Sequence, residues 1–566
     1  MQRTEHPKPQ FMRENWRNLN GEWQFEIDRS VSGKERGLYK PDAVLSKVIN
    51  VPFCPESRLS GIGDTDFMNS VWYKRTVEIS EEELSGRVII HFGAVDYESH
   101  LYVNGVHVGE HIGGYVSFSF DITDYLTAGT NVITINALDD TRDPKIPSGK
   151  QSTEYNSYDC FYTRTTGIWQ TVWLEFVPEN YIIRAKYDTD IDSATLTVSA
   201  VLKGTADLTV EAFYEGKTVG KAKATSCGGT HILTIPLSEK HLWEVGNGRL
   251  YDLVLTFGED KVNSYFGLRS VRLDGFKFLL NEKSVFQRLI LDQGFYPDGI
   301  YTAPSDEDLI ADIDRSLAMG FNGARLHEKI FEERFLYHCD RKGYIVWGEY
   351  PDWSLHRAKS LSNAFLMTEW VEELERDYNH PAIIGWCPQN ETEWLIPGSE
   401  QAKNQRAFYR LTKAFDPSRP CIDASGYIHV ESDIFDIHDY EQDPAKFKVS
   451  LDSLTNEGKN IDRHSQFHTY NKWQPIFVSE YGGTRWSEDQ SGWGYGNGPK
   501  TLEECIDRIK GLTDVILDNE RIMGLCYTQL TDVEQEQNGL YTYDRKPKFD
   551  PEKIHSIFSR KAAIED

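Results

Sequence analysis

No stretch of the 566-residue chain approaches the roughly 20 consecutive apolar residues that a membrane-spanning helix requires, so no such span is encoded. Cysteine is sparse and scattered: eight residues, with no CxxC pair and no metal-ligand spacing, which argues against structural zinc and predicts reduced thiols. Basic residues are also short. Sixty-one Lys and Arg face 88 Asp and Glu, and the formal net charge of −27 opposes non-specific attraction to nucleic acid or anionic membranes. No Gly-rich phosphate loop follows a strand, and no internal repeat or low-complexity tract is present. The opening MQRTEHPKPQFMREN lacks the apolar centre of a secretory signal, so a cytoplasmic protein is expected.

What is present is a folding chain, 39% hydrophobic and 13% aromatic, long enough for about three domains. Residues 1–180 read as a β-sandwich of jelly-roll type: short alternating runs, such as Arg87 to Phe92 and Leu101 to Val108, broken by the Asn104-Gly105 turn. Residues 181–271 repeat the style on a smaller scale, with Thr195 to Val201, Leu208 to Tyr214, a Glu215-Gly216 turn and His231 to Ile235. That pattern predicts an immunoglobulin-like sandwich.

From 272 to 566 the rhythm becomes strand and helix in alternation. Strands are predicted near 286–291, 322–326, 344–349, 383–388, 420–424, 433–437, 475–480 and 522–528, the count and spacing of a (β/α)₈ barrel. Two helices carry their own punctuation. Ser305 with Asp308, and Thr501 with Glu504, make capping-box pairs, and Gly320 ends the first.

Barrel active sites lie at the carboxyl ends of the strands, and there the chain places two acids. The fourth strand runs from Ala382 to Pro388 into Gln389-Asn390-Glu391; the seventh, Pro475 to Ser479, delivers Glu480-Tyr481-Gly482. Cleaving a glycosidic bond needs a proton for the leaving oxygen and a carboxylate to trap an oxocarbenium-like carbon, so paired acids are the minimum equipment. Either Glu alone reads equally well as a surface carboxylate after a strand. Together, at opposed strand ends, they predict a retaining glycosidase with Glu391 as acid/base and Glu480 as nucleophile.

These motifs resemble glycoside hydrolase family 2, which includes β-galactosidases, β-glucuronidases and β-mannosidases. The resemblance rests on Arg376-Asp377-Tyr378-Asn379-His380-Pro381, Ile384-Gly385-Trp386, Asn390-Glu391 and Ser479-Glu480-Tyr481-Gly482 in the barrel. Trp16, Asn20-Gly21, Trp23, Phe92-Gly93-Ala94 and Gly167-Ile168-Trp169 extend it through the first domain, and Phe266-Gly267-Leu268-Arg269 closes the second. It implies a jelly roll, an immunoglobulin-like sandwich and a catalytic barrel, with Asn390 donating to the hydroxyl beside the anomeric carbon. It implies an exo-acting β-glycosidase that needs no organic cofactor; some relatives use a divalent cation, for which no ligand set is assignable here. A carbohydrate substrate is expected, and a homo-oligomer is left open.

Around the pair, Arg325 is expected to orient the nucleophile, although a barrel-wall ion pair is the plainer account. An acid/base is expected to have a raised pKa. Tyr440 is expected to reach Glu480, His438 to contact ligand or to satisfy a strand end, and Asp292 to accept from a sugar hydroxyl or to cap a turn. His327 follows Arg325, where relatives usually continue differently. Glu349 ends strand three as a supporting acid, and Gln529 and Glu534 follow strand eight. Of Trp353, Trp394, Trp486 and Trp493, about one or two are expected to stack on sugar. The default glycon is galactose; a uronic acid, mannose or a furanose such as galactofuranose or arabinofuranose are alternatives, as is a non-catalytic carbohydrate-binding relative.

Overall fold

Strict alternation of apolar and polar residues makes the first domain a sandwich of two antiparallel sheets. In the computed structural model, which describes residues 3–353, 360–392, 399–459, 473–488 and 491–565, one sheet orders Trp16–Asn18, Val172–Val177, Arg87–Phe92 and Phe118–Asp121. The other orders Lys47–Val51, Gly21–Ile27, Ser70–Ile79, Gly129–Leu138, Glu98–Val103 and Val106–Ile112. Trp23, Phe25, Ile49, Tyr73, Ile90, Phe92, Ile135 and Leu174 fill the space between them. The turn at Asn104-Gly105 has both residues at positive φ (50° and 80°), the geometry that matches strand twist in a two-residue hairpin.

The second domain joins Tyr181–Asp190, Thr195–Tyr214, Lys217–Pro236, Tyr251–Phe257 and Asp260–Phe266 in one antiparallel sheet system. Here the sequence reading needs correcting. The two strands expected at Thr195 to Val201 and Leu208 to Tyr214 are one 20-residue strand, with register shifts between Leu202 and Leu208. Gly204, at φ +82°, lies within that irregularity, where the strand bends without ending.

The barrel strands are Gln287–Asp292, Gly323–Leu326, Ile345–Glu349, Ile383–Cys387, Phe435–Asp439, Ile476–Gly482 and Ile522–Thr528, parallel wherever they pair. The strand expected at 420–424 is not formed. Only the isolated bridges Trp386↔Cys421 and Asn390↔Ser425 mark its position. Side chains have taken two of the donors a ladder would use: Asp433 accepts from the Cys421 N–H, and Asp423 accepts from the Ala424 N–H. Pro420 has no N–H to offer.

The helix Asp306–Ala318 begins as its residues predict, Ser305 accepting from the Asp308 N–H, and Gly320 follows at φ +93°. At Leu502–Leu517, Thr501 accepts from the Glu504 N–H, while the Glu504 carboxylate turns back to the Lys500 N–H. All eight cysteines are free, seven of them buried.

Buried ion pairs hold the domains together. Arg13 bonds Glu175 of the first sandwich and Asp260 of the second, and Trp243 donates to the Asp340 carbonyl of the barrel. From the first sandwich, Ser148, Tyr162 and Thr163 bond Trp353, Glu536 and Glu534 of the barrel.

Candidate active site

Strand two ends in Arg325, whose guanidinium is almost wholly buried and shared among three strand ends. Its Nε donates to Glu349, Nη1 to Glu480 Oε1 at 2.7 Å and to the Ser479 carbonyl at 3.3 Å, and Nη2 to Asn390 Oδ1 at 2.7 Å. Burial works against its charge, but Glu349 and Glu480 outweigh that and keep it cationic. The sequence left a choice between orienting the nucleophile and an ordinary wall pair. The side chain does both, bonding Glu480 on one side and Glu349 on the other.

Glu480 receives a second bond from Tyr440, whose hydroxyl also lies 3.1 Å from Thr528 Oγ1. Burial and the Glu480 charge push the phenol well above its usual range, so it remains a donor. Tyr495 stacks on Tyr440 at 3.4 Å between ring centroids. Both Glu480 oxygens are thus fixed by donors from other strands.

Glu391 is held differently. It sits at φ +46°, a left-handed conformation that costs a non-glycine residue of order 1–3 kcal/mol and recurs at functional sites. Its N–H donates to the Ser425 carbonyl at 2.7 Å, and its Oε1 lies 2.7 Å from His438 Nδ1. Burial alone would raise this carboxyl, but the hydrogen bond and charge of His438, with Lys150 and Arg325, bring it below the ordinary range. That corrects the expectation of a raised acid/base. The same contact, with the Glu480 charge, raises His438 despite its burial, so the pair holds one proton between them with its balance toward the imidazole. His438 Nδ1 also lies 3.4 Å from Glu480 Oε2, and Nε2 lies 3.0 Å from Ser425 Oγ.

Behind His438, Ser425 and Ser479 both donate to Asp436. Burial would raise Asp436, yet its carboxyl stays low because His429 bonds it and His429 and His438 lend positive charge. Sequence reasoning missed this group; Ser425 directly follows the 420–424 segment, whose expected strand is not formed.

His327 is buried against Glu349, with Nδ1 2.8 Å from its Oε1, and burial holds the imidazole neutral. Glu349 thereby supports both Arg325 and His327. Asp292 takes the turn role: its Oδ1 accepts from the Gly294 N–H at 2.9 Å, and burial with Asp312 pushes its carboxyl up to about 6. Gln529 donates to Asn538 at 2.7 Å, and its buried Oε1 has no partner among the described residues. Glu534 accepts from the Thr163 N–H of the first sandwich. Trp353 carries the Lys150 ammonium 3.5 Å from its ring centroid, and Trp493 meets Tyr495 edge-on at 5.0 Å. Trp486 is half-buried, its N–H bonded to the Gln537 carbonyl. Trp394 lies outside the described residues.

Sequence reasoning also missed what the first sandwich contributes. Tyr162 donates to Glu536, and Gln535 donates to the carbonyls of Asp159 and Phe161. Ser148 donates its N–H to the Trp353 carbonyl at 3.1 Å. Gly149, at φ +52°, packs so closely that a Cβ would stand 2.4 Å from the Glu328 carbonyl oxygen. A glycine pressed against a glutamate far along the chain carries no periodic signal.

Two donor sets among the described residues have the spacing of a metal site, their ligand atoms all within 4.8 Å of one another. One is Glu391, His438 and Glu480; the other is His100, His107 and Glu110 on the outer hairpin of the first sandwich.

Three family models match in succession: "Glycosyl hydrolases family 2, sugar binding domain" over 16–178, "Glycosyl hydrolases family 2" over 176–269, and "Glycosyl hydrolases family 2, TIM barrel domain" over 302–493. Among curated relatives, the β-glucuronidase of Felis catus is 26% identical over 96% of this chain and 90% of its own length. The putative β-glucuronidase of Formosa agariphila is 27% identical, the match spanning 82% of this chain and 56% of that protein. A β-galactosidase of Leuconostoc mesenteroides is also 27% identical, over 71% of this chain and 42% of its own. Of solved structures, the Ruminococcus gnavus β-glucuronidase superposes with a TM-score of 0.81 at 18% identity, covering 99% of both chains, which establishes the shared fold. These relatives do not favour the galactosidase default drawn from the sequence.

Proposed function

The chain belongs to the family 2 glycosyl hydrolases, and from that premise we propose that it cleaves terminal β-linked uronic acid residues with retention of configuration. The observation that carries the mechanism is the spacing of the acids. Oxygens of Glu391 and Glu480 lie within 4.8 Å of each other around His438, in keeping with the roughly 5 Å that direct attack requires and short of the separation needed to seat a water between them.

In this mechanism Glu480, held by Arg325 and Tyr440, attacks the anomeric carbon while Glu391 protonates the departing oxygen. The proton is drawn from the pair that Glu391 forms with His438. Glu391 then takes a proton from the water that releases the sugar, and the ester on Glu480 breaks. Asn390, its Oδ1 held by Arg325, is positioned for the hydroxyl beside the reacting carbon. No organic cofactor enters any step.

The uronic acid reading is supported by the names of the relatives, most of which are β-glucuronidases. A neutral glycon is the second reading, favoured by the buried acids Glu328 and Glu536 near the catalytic pair, which suit sugar hydroxyls better than a second carboxylate. A panel of 4-nitrophenyl β-glycosides separates the two: glucuronide should be turned over with the highest kcat/KM, and a neutral glycoside exceeding it sinks the uronate reading. Labelling with a 2-fluoro sugar of the preferred glycon, followed by peptide mapping, should find the adduct on Glu480; an adduct elsewhere refutes the assignment of roles.

A further inference from the structure

An ammonium group is placed at the mouth of the barrel with no hydrogen-bond acceptor among the described residues. Lys150 belongs to the first sandwich and is only 5% exposed, yet its Nζ donates no hydrogen bond to any described residue. It rests 3.5 Å from the centroid of the Trp353 ring, and it lies close enough to Glu328, Glu391 and Glu536 for each to bear on its charge. The stem of Lys150 is buried while its Nζ is not sealed from solvent, so the ammonium can offer its protons to a molecule that enters the pocket.

The main chain that delivers Lys150 is tied down on both sides. Its carbonyl accepts from the Tyr162 N–H at 2.8 Å, and Ser148 and Gly149 are docked on Trp353 and Glu328. Gln151 is clamped by Asp96, Tyr115 and the Thr165 N–H. The lysine is therefore presented by a rigid segment and not by a loose loop tip.

The other cations of this region are already committed. Arg325 is bonded to Glu349, Glu480 and Asn390, and Lys329 donates to the carbonyls of Gly294 and Tyr301. Of the neighbouring acids, burial with nearby carboxylates shifts Glu328 and Glu536 toward their protonated forms, while Glu391 stays ionised beside Lys150. An anion whose oxygens accept from an ammonium, carried by something that enters the pocket, suits this position.

We propose that Lys150 binds the carboxylate of the uronic acid, so that the first sandwich supplies the charge that selects the glycon. The inference rests on the uronate reading given above, and it adds a residue that the barrel motifs do not contain.

The test compares two substrates that differ only in that group, 4-nitrophenyl β-D-glucuronide and β-D-glucoside, on the full chain. In Lys150→Met the ratio of kcat/KM for glucuronide over glucoside should fall on the order of 10²-fold, mainly through KM, and Lys150→Arg should restore most of it. Thermal melting checks that the variants fold; should Lys150→Met not fold, Lys150→Gln, which removes the charge and keeps polarity, takes its place. A wild-type enzyme that prefers glucuronide and a variant with an unchanged ratio would overturn the role of Lys150 alone. Equal losses on both substrates would reduce it to a structural or electrostatic part. A wild-type enzyme inactive on glucuronide but active on a neutral glycoside would overturn the uronate reading, and this inference with it.

Discussion

The floor of the pocket and its outer wall are built by opposite strategies. The floor, around Glu480, lies within the barrel: Arg325, Tyr440, Ser479 and Glu349 are a few residues from strand ends and are joined by short, charge-assisted bonds. The wall is made where the first sandwich meets the barrel, by Lys150, Tyr162 and Thr163 on one side and Trp353, Glu534 and Glu536 on the other. The floor can hold reacting groups in place because every bond leads back to the same sheet. The wall depends on the docking of two bodies, and it reaches the chemistry beneath it through Lys150, whose charge helps hold Glu391 low. Cleavage thus rests mainly on one region, and the proposed choice of sugar on the junction of two.

Arg325→Lys attacks the floor and should have the largest effect. An ammonium cannot reach Glu349, Glu480 and Asn390 at once, and breaking a buried pair costs about 3–5 kcal/mol. Steady-state assay should show kcat reduced by roughly 10²-fold or more, whichever glycoside is used. Equal loss on all glycosides is the mark of the floor; a loss confined to one glycon would erase the distinction drawn here.

His438→Gln probes the edge of the floor, and its reading is a pH shift. Since the cation on His438 lowers Glu391, removing it lets burial raise that carboxyl. In the wild type the alkaline limb of kcat/KM marks loss of the proton that the pair shares, which rests on a raised imidazole; in the variant that proton rests on Glu391 alone, so the limb should move to lower pH. A limb that stays in place, or moves up, would exclude the pair as the group reported by that limb.

Tyr162→Phe loosens the wall and should do least to catalysis. It removes the bond to Glu536, leaving a buried carboxyl with Asn538 as its remaining partner, at a cost of about 1–3 kcal/mol. The melting temperature should fall while kcat on a neutral glycoside stays within a few-fold of wild type. A collapse of kcat equal to that of Arg325→Lys would show that wall and floor are one unit.

The floor was legible in the sequence because barrel strands advertise their ends. An apolar run followed at once by Asn390-Glu391, or by Glu480-Tyr481, places polar groups at a known rim, and Arg325, His438 and Tyr440 lie at comparable positions. The ambiguity at Asp292 could not be removed that way, because a turn-capping Asp and a substrate-facing Asp have the same residue type at the same strand end. Segment 420–424 misled for a local reason: its apolar residues suit a strand, but Asp433 and Asp423 capture the N–H groups of Cys421 and Ala424. Lys150 and Glu536 were illegible because nothing in either segment refers to the other. The bond from Tyr162 to Glu536 spans 374 residues, and neither periodicity nor a local motif crosses that distance.

The same separation has a consequence in time. A ribosome making roughly 5–20 residues per second finishes Tyr162 about 20–75 s before Glu536. During that interval the first sandwich can fold, but its barrel-facing edge has no acceptor for Tyr162 and no surface for Gly149. The nascent chain therefore carries its proposed selector before it carries its reagents, and the barrel, emerging later, both completes the reaction centre and covers the exposed seam.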